Sequence, residues 1–257
     1  ILALVDQLSK QKSFAFDTET TSLNELEAQL VGLSFSWKSN EAYYVPVAEG
    51  EEQEIANYFK SVFLDETIEK VAQNLKYDMN VLVKYGVVIK GPLFDTMIAH
   101  YLLEPDLKHN MDFLSETYLN YRPVSIETLI GKKGKNQKTM RDVPLEDIKE
   151  YAAEDADITW QLKELFKPLL KEKDLLDLFT DVEMPLVPVL SKMEMIGISL
   201  NSDTLKVFSK ELEAEIERIE KSVIDQAGEE FNVGSPKQLG VVLFEKMEID
   251  AKAKKTK

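Results

Sequence analysis

An apolar run that ends in two carboxylates constrains the fold of this chain more than any other feature. Residues 13–18 have the length and composition of a β-strand, and Phe14 and Phe16 fall on one face of it. Asp17 and Glu19 fall together on the opposite face, because side chains alternate along a strand. The run therefore predicts a strand with an apolar core on one side and a pair of acids on the other.

The segments that follow indicate a mixed α/β fold. Strand-like runs at 30–37 and 42–47, joined by the turn Lys38-Ser39-Asn40, predict a meander of three antiparallel strands. A further short strand is expected at 70–72, and Asn74 is predicted to be the N-cap of the helix after it. Helical periodicity is found in the following segments: 1–10, 51–63, 74–85, 95–103 and 111–119.

A long helix after Pro144 carries one acid where its pattern requires an apolar residue. Asp155 falls on the apolar stripe, whereas its neighbours Glu150, Glu154 and Asp157 do not. The stripe consists of Leu145, Ile148, Ala152, Ile158, Leu162 and Leu165. A carboxylate on a buried face is unfavourable unless it is paired or bound to a metal ion. The pattern therefore distinguishes Asp155 from the other acids of this helix.

Strand signals cease after about residue 171, and the remaining pattern is helical. The lysine-rich end, 251–257, is expected to be frayed. We therefore predict an α/β domain at 1–171 and an all-α segment at 172–257. The helices of that segment are predicted at 174–196, at 202–227 and from Ser235 onward.

The composition excludes several kinds of site. The 257 residues include no cysteine and two histidines, which excludes thiolate zinc sites, cysteine nucleophiles and histidine-rich metal centres. No stretch approaches the roughly 20 apolar residues of a transmembrane helix, and no signal peptide is recognisable. We expect a cytoplasmic protein that does not interact with membranes. Because the chain does not begin with methionine, we expect a fragment or a processed form.

The net charge of −15 argues against a nucleic-acid partner, because phosphates repel an acidic surface. The objection weakens where acids hold cations, since bound metals can invert the local field. Positive charge is also concentrated in one polar segment, 132–141, which includes Lys135. We interpret this segment as a solvated loop, with phosphate contact as the alternative.

Four acids and one tyrosine from three distant segments form the candidate catalytic set. Asp78 lies in the first turns of one helix, and Tyr151 and Asp155 share a face of another. Brought together with Asp17 and Glu19, their oxygens suit Mg²⁺ or Mn²⁺. Two such ions about 4 Å apart can activate a water and stabilise the leaving oxygen at a phosphodiester. A phenol with a pKa of about 10 is a poor base at neutral pH but can orient that water.

The same segments resemble the three exonuclease motifs of family A DNA polymerases, the bacterial DNA polymerase I family. The motifs lie at residues 14–20, FAFDTET, at 73–78, QNLKYD, and at 151–157, YAAEDAD. The proofreading domain of that family belongs to the DEDD exonucleases, in the subgroup with tyrosine in the third motif. The likeness continues at 95–103, 134–137, 183–190 and 231–239, and the last two segments resemble the start of the polymerase thumb.

The resemblance implies a fold and an activity. The fold is a ribonuclease H-like α/β domain at 1–171, followed by a truncated all-α thumb at 172–257. The activity is 3′-5′ proofreading hydrolysis of single-stranded or frayed DNA 3′ ends to deoxynucleoside monophosphates. It uses two divalent cations, Mg²⁺ or Mn²⁺, and Zn²⁺ is allowed at one position. No polymerase activity is expected, because the palm and fingers are not in the chain.

The resemblance also implies roles for individual residues. Asp17, Glu19 and Asp155 hold the first metal ion. Asp17 also holds the second, and Asp78 acts on it through water. Glu19 and Tyr151 orient the attacking water. Contacts with the DNA are expected of the following residues: Leu23 against the terminal base, Asn74 at the DNA end, and Lys135 of the basic segment.

Two other functions stay open on the sequence alone. One is a related DEDD exonuclease that acts on RNA, against which the thumb-like segment 235–239 argues. The other is a module that binds a DNA end with little turnover. Release of monophosphates in Mg²⁺ or Mn²⁺ but not with a chelator separates the enzyme from the module. We further expect a monomer associated with the bacterial nucleoid.

Overall fold

The structure is a computed structural model that describes residues 1–249, and these fall into two compact units. The first unit, Ile1–Gly197, contains the sheet, and the second begins at Ile198. The domain boundary at residues 171/172 stays a prediction, because a compact unit and a sequence module need not end at the same residue. The predicted lysine-rich end lies outside the described residues.

The strands of the first unit form one mixed sheet. Its order over the described residues is β3-β2-β1-β4-β5, with β1–β2 and β2–β3 antiparallel and β1–β4 and β4–β5 parallel. The strands are β1 Ser13–Thr20, β2 Leu30–Lys38, β3 Glu41–Pro46, β4 Glu69–Ala72 and β5 Leu93–Asp95. The predicted antiparallel meander is confirmed. β5 has only three residues, too few to show a periodic pattern in the sequence.

Helices surround this sheet. The α-helices of the first unit are α1 Leu2–Leu8, α2 Glu52–Leu64, α3 Leu75–Val83, α4 Thr96–Leu103, α5 Met111–Leu114, α6 Ile126–Ile130, α7 Leu145–Glu172, α8 Leu176–Leu178 and α9 Met184–Ile196. Single π-helical turns extend α5 and α8, at Ser115–Leu119 and Phe179–Glu183, and a 3₁₀ turn lies at Met140–Asp142. The helices predicted in this part of the chain are therefore confirmed.

Aromatic rings join one face of the sheet to α2. Phe14 and Phe16 of β1 contact Phe63, with ring centroids 5.9 and 4.9 Å apart. Phe35 of β2 stacks on Phe59 at 4.9 Å. All five side chains are completely buried. Burying one phenylalanine stabilises the fold by about 1.5–3 kcal/mol, so this aromatic layer determines which face of β1 points into the core.

The long helix α7 covers the other face of the sheet. It packs against β1, β2 and β3. The predicted stripe is buried at Ile148, Ala152, Ile158 and Leu162. Leu145 is 50% exposed, because it lies in the first turn of α7. Since Phe14 and Phe16 face α2, Asp17 and Glu19 face α7.

The second unit is helical over its described residues. It contains α10 Ser202–Ala227, α11 Pro236–Gly240 and a π-helical turn at Val241–Lys246. Asn201 caps α10 by accepting a hydrogen bond from the Thr204 N–H at 3.0 Å. Among residues 1–249 no helix combines the length and the apolar character that crossing a bilayer demands.

Candidate active site

Three carboxylates meet between β1 and α7. Asp17 and Glu19 come from the strand, and Asp155 comes from the helix. One oxygen of each lies within 4.8 Å of the others. Glu19 and Asp155 are buried, and Asp17 is partly exposed. The structure thus brings the acid pair of the strand next to the acid that interrupts the apolar stripe of the helix.

Burial and mutual repulsion disfavour this cluster as a set of bare anions. Burial raises the pKa of Asp17 to about 6, although a hydrogen bond from the Thr18 backbone opposes the shift. Burial first, and then the charges of neighbouring carboxylates, raise the pKa of Glu19 well above its usual range. The same two causes raise the pKa of Asp155, with Asp17 as the foremost charged neighbour. A cation placed among these oxygens would offset both effects.

The donor set fits a hard divalent cation. The three groups supply oxygen ligands alone. Glu19 Oε1 is buried and has no hydrogen-bond partner within residues 1–249. Buried acceptors without a partner are rare in folded proteins, so this oxygen is available for a ligand. Asp17, Glu19 and Asp155 can therefore hold a metal ion, and oxygen ligands favour Mg²⁺ or Mn²⁺.

Asp78 adjoins the cluster through Thr18. Its Oδ1 accepts hydrogen bonds from the Thr18 backbone N–H at 3.2 Å and from the Thr18 hydroxyl at 2.6 Å. β4 pairs with β1 over Ser13–Ala15. Further along β1, the Asp78 carboxylate accepts the backbone hydrogen bond that a neighbouring strand would otherwise accept. Burial, and then the charge of Asp17, raise the pKa of Asp78 well above its usual range. The fourth acid therefore lies near Asp17 and Glu19, outside the group of three within 4.8 Å, and its Oδ1 is held by β1.

The phenol of Tyr151 lies against the same carboxylates. Burial, followed by the charges of Asp155, Glu19 and Asp17, raises the pKa of Tyr151 far above its usual range. The hydroxyl donates a hydrogen bond to the Asp155 carboxylate. At neutral pH the phenol is therefore protonated, which makes it a hydrogen-bond donor and not a base.

The start of α3 is capped by Asp95 and not by the side chain of Asn74. Asn74 occupies the N-cap position with φ of 67°, and within the described residues its side chain makes no capping bond. Asp95 accepts hydrogen bonds from the backbone N–H of Leu75 and of Met97, both at 2.8 Å. The predicted N-cap position is confirmed, but Asn74 does not supply the capping bond, because such bonds need an extended N-cap residue and Asn74 is left-handed.

The residues expected to contact DNA are all exposed. Leu23 follows β1 and is 87% exposed, and Asn74 is exposed at the start of α3. Both adjoin elements that carry acids of the cluster. Lys135 is exposed in the loop before the 3₁₀ turn. Arg141 ties the end of that loop to the sheet by donating to the Leu30 carbonyl at 2.9 Å.

Tyr44 is a neighbour of the cluster that the sequence patterns do not indicate. Burial, and then the charge of Glu19, raise the pKa of Tyr44. Its ring lies over Gly32, where an added Cβ would be 2.2 Å from the Tyr44 hydroxyl oxygen. Gly32 is opposite Glu19 in the β1–β2 register. A glycine inside a strand signals close approach of another group, so Gly32 indicates in the sequence that a group lies here, and the structure shows that it is Tyr44.

Comparison with known sequences identifies relatives over almost the whole chain. A family model described as 3′-5′ exonuclease matches residues 2–171, and one described as DNA polymerase family A matches residues 202–257. The chain is 38% identical to DNA polymerase I of Pseudomonas aeruginosa, over 95% of this chain and 28% of that protein. For DNA polymerase I of Synechocystis the identity is 35%, over 99% of this chain and 27% of that protein. The chain thus spans less than a third of the length of these relatives.

Solved structures share the fold. The POL domain of Pol1 from M. smegmatis, in complex with DNA primer-template and dNTP, superposes with a TM-score of 0.78 at 23% identity, covering 100% of this chain and 41% of that one. Brucella melitensis NrnC with bound Mg²⁺ gives a TM-score of 0.58 at 21% identity, covering 74% and 88%. These likenesses confirm the predicted α/β fold. The match over residues 2–171 shows that the chain belongs to the 3′-5′ exonuclease family of the DNA polymerase I relatives.

Proposed function

We propose that the chain hydrolyses DNA from the 3′ end and releases deoxynucleoside monophosphates. The observation that carries this proposal is the meeting of Asp17, Glu19 and Asp155 within 4.8 Å. Asp78 and Tyr151 adjoin the same cluster. Family membership supports the exonuclease chemistry. The DNA polymerase I relatives support DNA as the substrate.

Two divalent cations, Mg²⁺ or Mn²⁺, complete the proposed site, with Zn²⁺ as an option at one position. Asp17, Glu19 and Asp155 would hold the first ion, and Asp17 the second, with Asp78 acting through water. The Thr18 hydrogen bonds occupy Asp78 Oδ1 and leave Oδ2 for this role. When bound, the ions supply the charge that activates the attacking water and stabilises the leaving oxygen. They also offset the local negative charge that would otherwise repel a phosphate.

The side chains around the cluster position the DNA end and the water. Glu19 and Tyr151 orient the water, and Tyr151 does so as a donor because its phenol is protonated. Leu23 packs its exposed side chain against the terminal base, and Asn74 contacts the DNA end. Lys135 contacts a backbone phosphate. Together these contacts hold the scissile phosphate against the carboxylates. The reacting groups are then already in a productive geometry, which lowers the barrier to reaction.

Replacing Tyr151 with phenylalanine is expected to slow hydrolysis by about 10- to 100-fold, because a positioned donor is lost while the ring is kept. Metal binding should persist, since Asp17, Glu19 and Asp155 are unchanged. Single-turnover release of monophosphate measures the rate, and calorimetric titration with Mn²⁺ measures the binding. Loss of Mn²⁺ binding in this variant would contradict the role given to Tyr151.

Replacing Thr18 with valine is expected to loosen Asp78, because the hydroxyl that donates to its Oδ1 is removed. A hydrogen bond to a charged group contributes about 1.5–3 kcal/mol, so we expect an activity loss of about 10- to 100-fold and a higher Mn²⁺ requirement. Thr18→Ser, which keeps the hydroxyl, is the matched control and should restore both. An unaltered Mn²⁺ dependence in Thr18→Val would show that Thr18 does not position Asp78.

Digestion of a 5′-labelled single-stranded DNA oligonucleotide tests the proposed function. With Mg²⁺ or Mn²⁺ the oligonucleotide should shorten from its 3′ end and release monophosphates, and a chelator should stop the reaction. A matched RNA oligonucleotide should be cut more slowly. Faster cleavage of RNA than of DNA would show that RNA is the substrate. Binding of DNA ends without release of any monophosphate would instead indicate a binding module.

A further inference from the structure

The loop that presents Leu23 is closed on itself. This Leu23 loop, residues 21–29, joins β1 to β2. Its ends pair with each other, since Thr21 N–H donates to the Gln29 carbonyl at 3.1 Å and Gln29 N–H donates to the Thr21 hydroxyl at 3.0 Å. Inside the loop, the N–H of Ala28 donates to the Asn24 carbonyl at 2.8 Å. The loop therefore holds an apolar side chain in solvent within a few residues of Glu19.

One face of α3 anchors this loop. Tyr77 Oη donates to the Ser22 carbonyl at 2.5 Å, near the start of the loop. Lys84, at the C-cap of α3, donates through Nζ to the Glu25 carbonyl at 2.5 Å and to the Ala28 carbonyl. Residues seven apart lie on the same face of a helix, so Tyr77 and Lys84 hold opposite parts of the loop from one side.

The same helix carries Asp78, which adjoins the acidic cluster. α3 therefore links two positions in the molecule: the fourth carboxylate and the exposed Leu23 side chain. Because an α-helix has a fixed rise per residue, its anchors define how far Leu23 lies from the carboxylates. A loop that is held in this way loses little entropy when a nucleotide binds to it.

The environment of the Lys84 ammonium group could not be predicted from its position in the sequence. Its side chain is partly buried, and burial lowers the pKa of its ammonium group. Within the described residues its hydrogen bonds go to backbone carbonyls, and its charge is near Glu25. A partly buried cation that donates to two loop carbonyls fixes the backbone conformation, because neither carbonyl accepts from another donor within residues 1–249.

We infer that Lys84 is a positioning residue that fixes the Leu23 loop, so that Leu23 meets the terminal nucleotide at a set distance from the carboxylates. The inference rests on the proposed function for its catalytic consequence, though not for its structural part. Without the Lys84 bonds, the loop must be ordered when the nucleotide binds. Lys84 therefore lowers the KM for the DNA end, and it does so by holding Leu23 in place.

The structural part is tested by hydrogen exchange on the full chain. Lys84→Met keeps the length of the side chain but cannot donate, so the amides of residues 22–28 should exchange at least about 5-fold faster, as expected for local opening. The amides of α3 should not change. Lys84→Arg, which can donate to both carbonyls, should retain the slow exchange. Lys90→Met serves as the matched control, because it removes an exposed lysine that pairs with Glu66 outside the loop.

The catalytic part is tested by a double-mutant cycle with a single-stranded DNA oligonucleotide. Lys84→Met and Leu23→Ala should each raise KM by about 3- to 10-fold, with kcat within about 2-fold, and the double variant should match Leu23→Ala. A residue that merely supported the fold would lower activity further in the Leu23→Ala background. Additive effects in the cycle would therefore overturn the inference.

The outcomes separate this inference from the proposed function. If the unaltered chain releases no monophosphate, the proposed function fails, and hydrogen exchange still decides whether Lys84 fixes the loop. If Lys84→Met does not fold, exchange in the unaltered chain decides, since the Glu27 and Ala28 amides must be protected. Unprotected amides at these positions, or unchanged exchange in a folded Lys84→Met variant, would refute the role of Lys84.

Discussion

Replacing Asp17 with alanine is expected to lower the rate of 3′-end hydrolysis by about 10³-fold or more, because groups that act as one catalytic unit fail together. Asp17 is the carboxylate that adjoins each of the others, since its charge raises the pKa of Glu19, of Asp78 and of Asp155. Both proposed cations use it as a ligand. No other single side chain of the cluster takes part in as many of its interactions.

The fold should survive this substitution. Asp17 faces α7, and the aromatic core lies on the other face of β1, where Phe14 and Phe16 are buried. Removing one of several mutually repelling carboxylates also relieves strain in the cluster. Circular dichroism and thermal melting check the fold, and single-turnover monophosphate release checks the rate. Glu150→Ala, an exposed acid on α7, is the matched control. Cleavage by purified Asp17→Ala at the rate of that control would refute the assignment.

The strand and helix periods account for the parts of the site that the sequence could predict. Alternation along β1 places Asp17 and Glu19 on one face, and the 3.6-residue period of α7 places Asp155 on the buried stripe. The structure joins these two faces, because α7 packs on β1. Local pattern therefore predicts which acids are turned inward. It gives no distance between them, which follows from the packing of elements far apart in sequence.

The contacts of Thr18 could not be predicted in this way. Strand alternation assigns Thr18 to the face opposite Asp17, which suggests no part in the acid cluster. Thr18 lies beyond the part of β1 that pairs with β4, so Asp78 reaches both its N–H and its hydroxyl from the side that β4 leaves open. The edge of a sheet is a tertiary feature, because it depends on where the neighbouring strand ends.

Asn74 shows the same limit at the level of one residue. Its type and position predict an N-cap, and the position is right, since α3 begins at the next residue. The backbone of Asn74 is left-handed, and Asp95 at the end of β5 lies next to the start of α3. Asp95 therefore accepts the hydrogen bond from the first N–H group of the helix. Asp95 is 20 residues further along the chain than Leu75, so a local rule could not identify it.

Replacing Asp155 with asparagine is expected to stabilise the metal-free chain at pH 8 while reducing hydrolysis by about 10³-fold or more, as loss of a metal ligand does. Burial and the charge of Asp17 raise the pKa of Asp155 well above its usual range. A carboxyl with a raised folded pKa adds stability below its unfolded pKa, and this stability is lost as pH rises through the folded pKa. At pH 8 the raised pKa of Asp155 therefore makes the native chain less stable than at low pH, and asparagine, which does not titrate, avoids this loss.

The melting temperature of the variant should exceed that of the native chain by a few degrees at pH 8, roughly the effect of 1–2 kcal/mol in a chain of this size. At pH 4 the two should melt together, because Asp155 is then protonated in the folded state. Addition of Mn²⁺ at pH 8 should raise the melting temperature of the native chain, since a ligand that binds the folded state stabilises it. The variant should respond much less, because one of the three grouped carboxylates is gone. An equal Mn²⁺ response in both proteins would show that Asp155 is not a metal ligand. A lower melting temperature for the metal-free variant at pH 8 would show that its carboxylate is stabilised by the fold and not repelled by it.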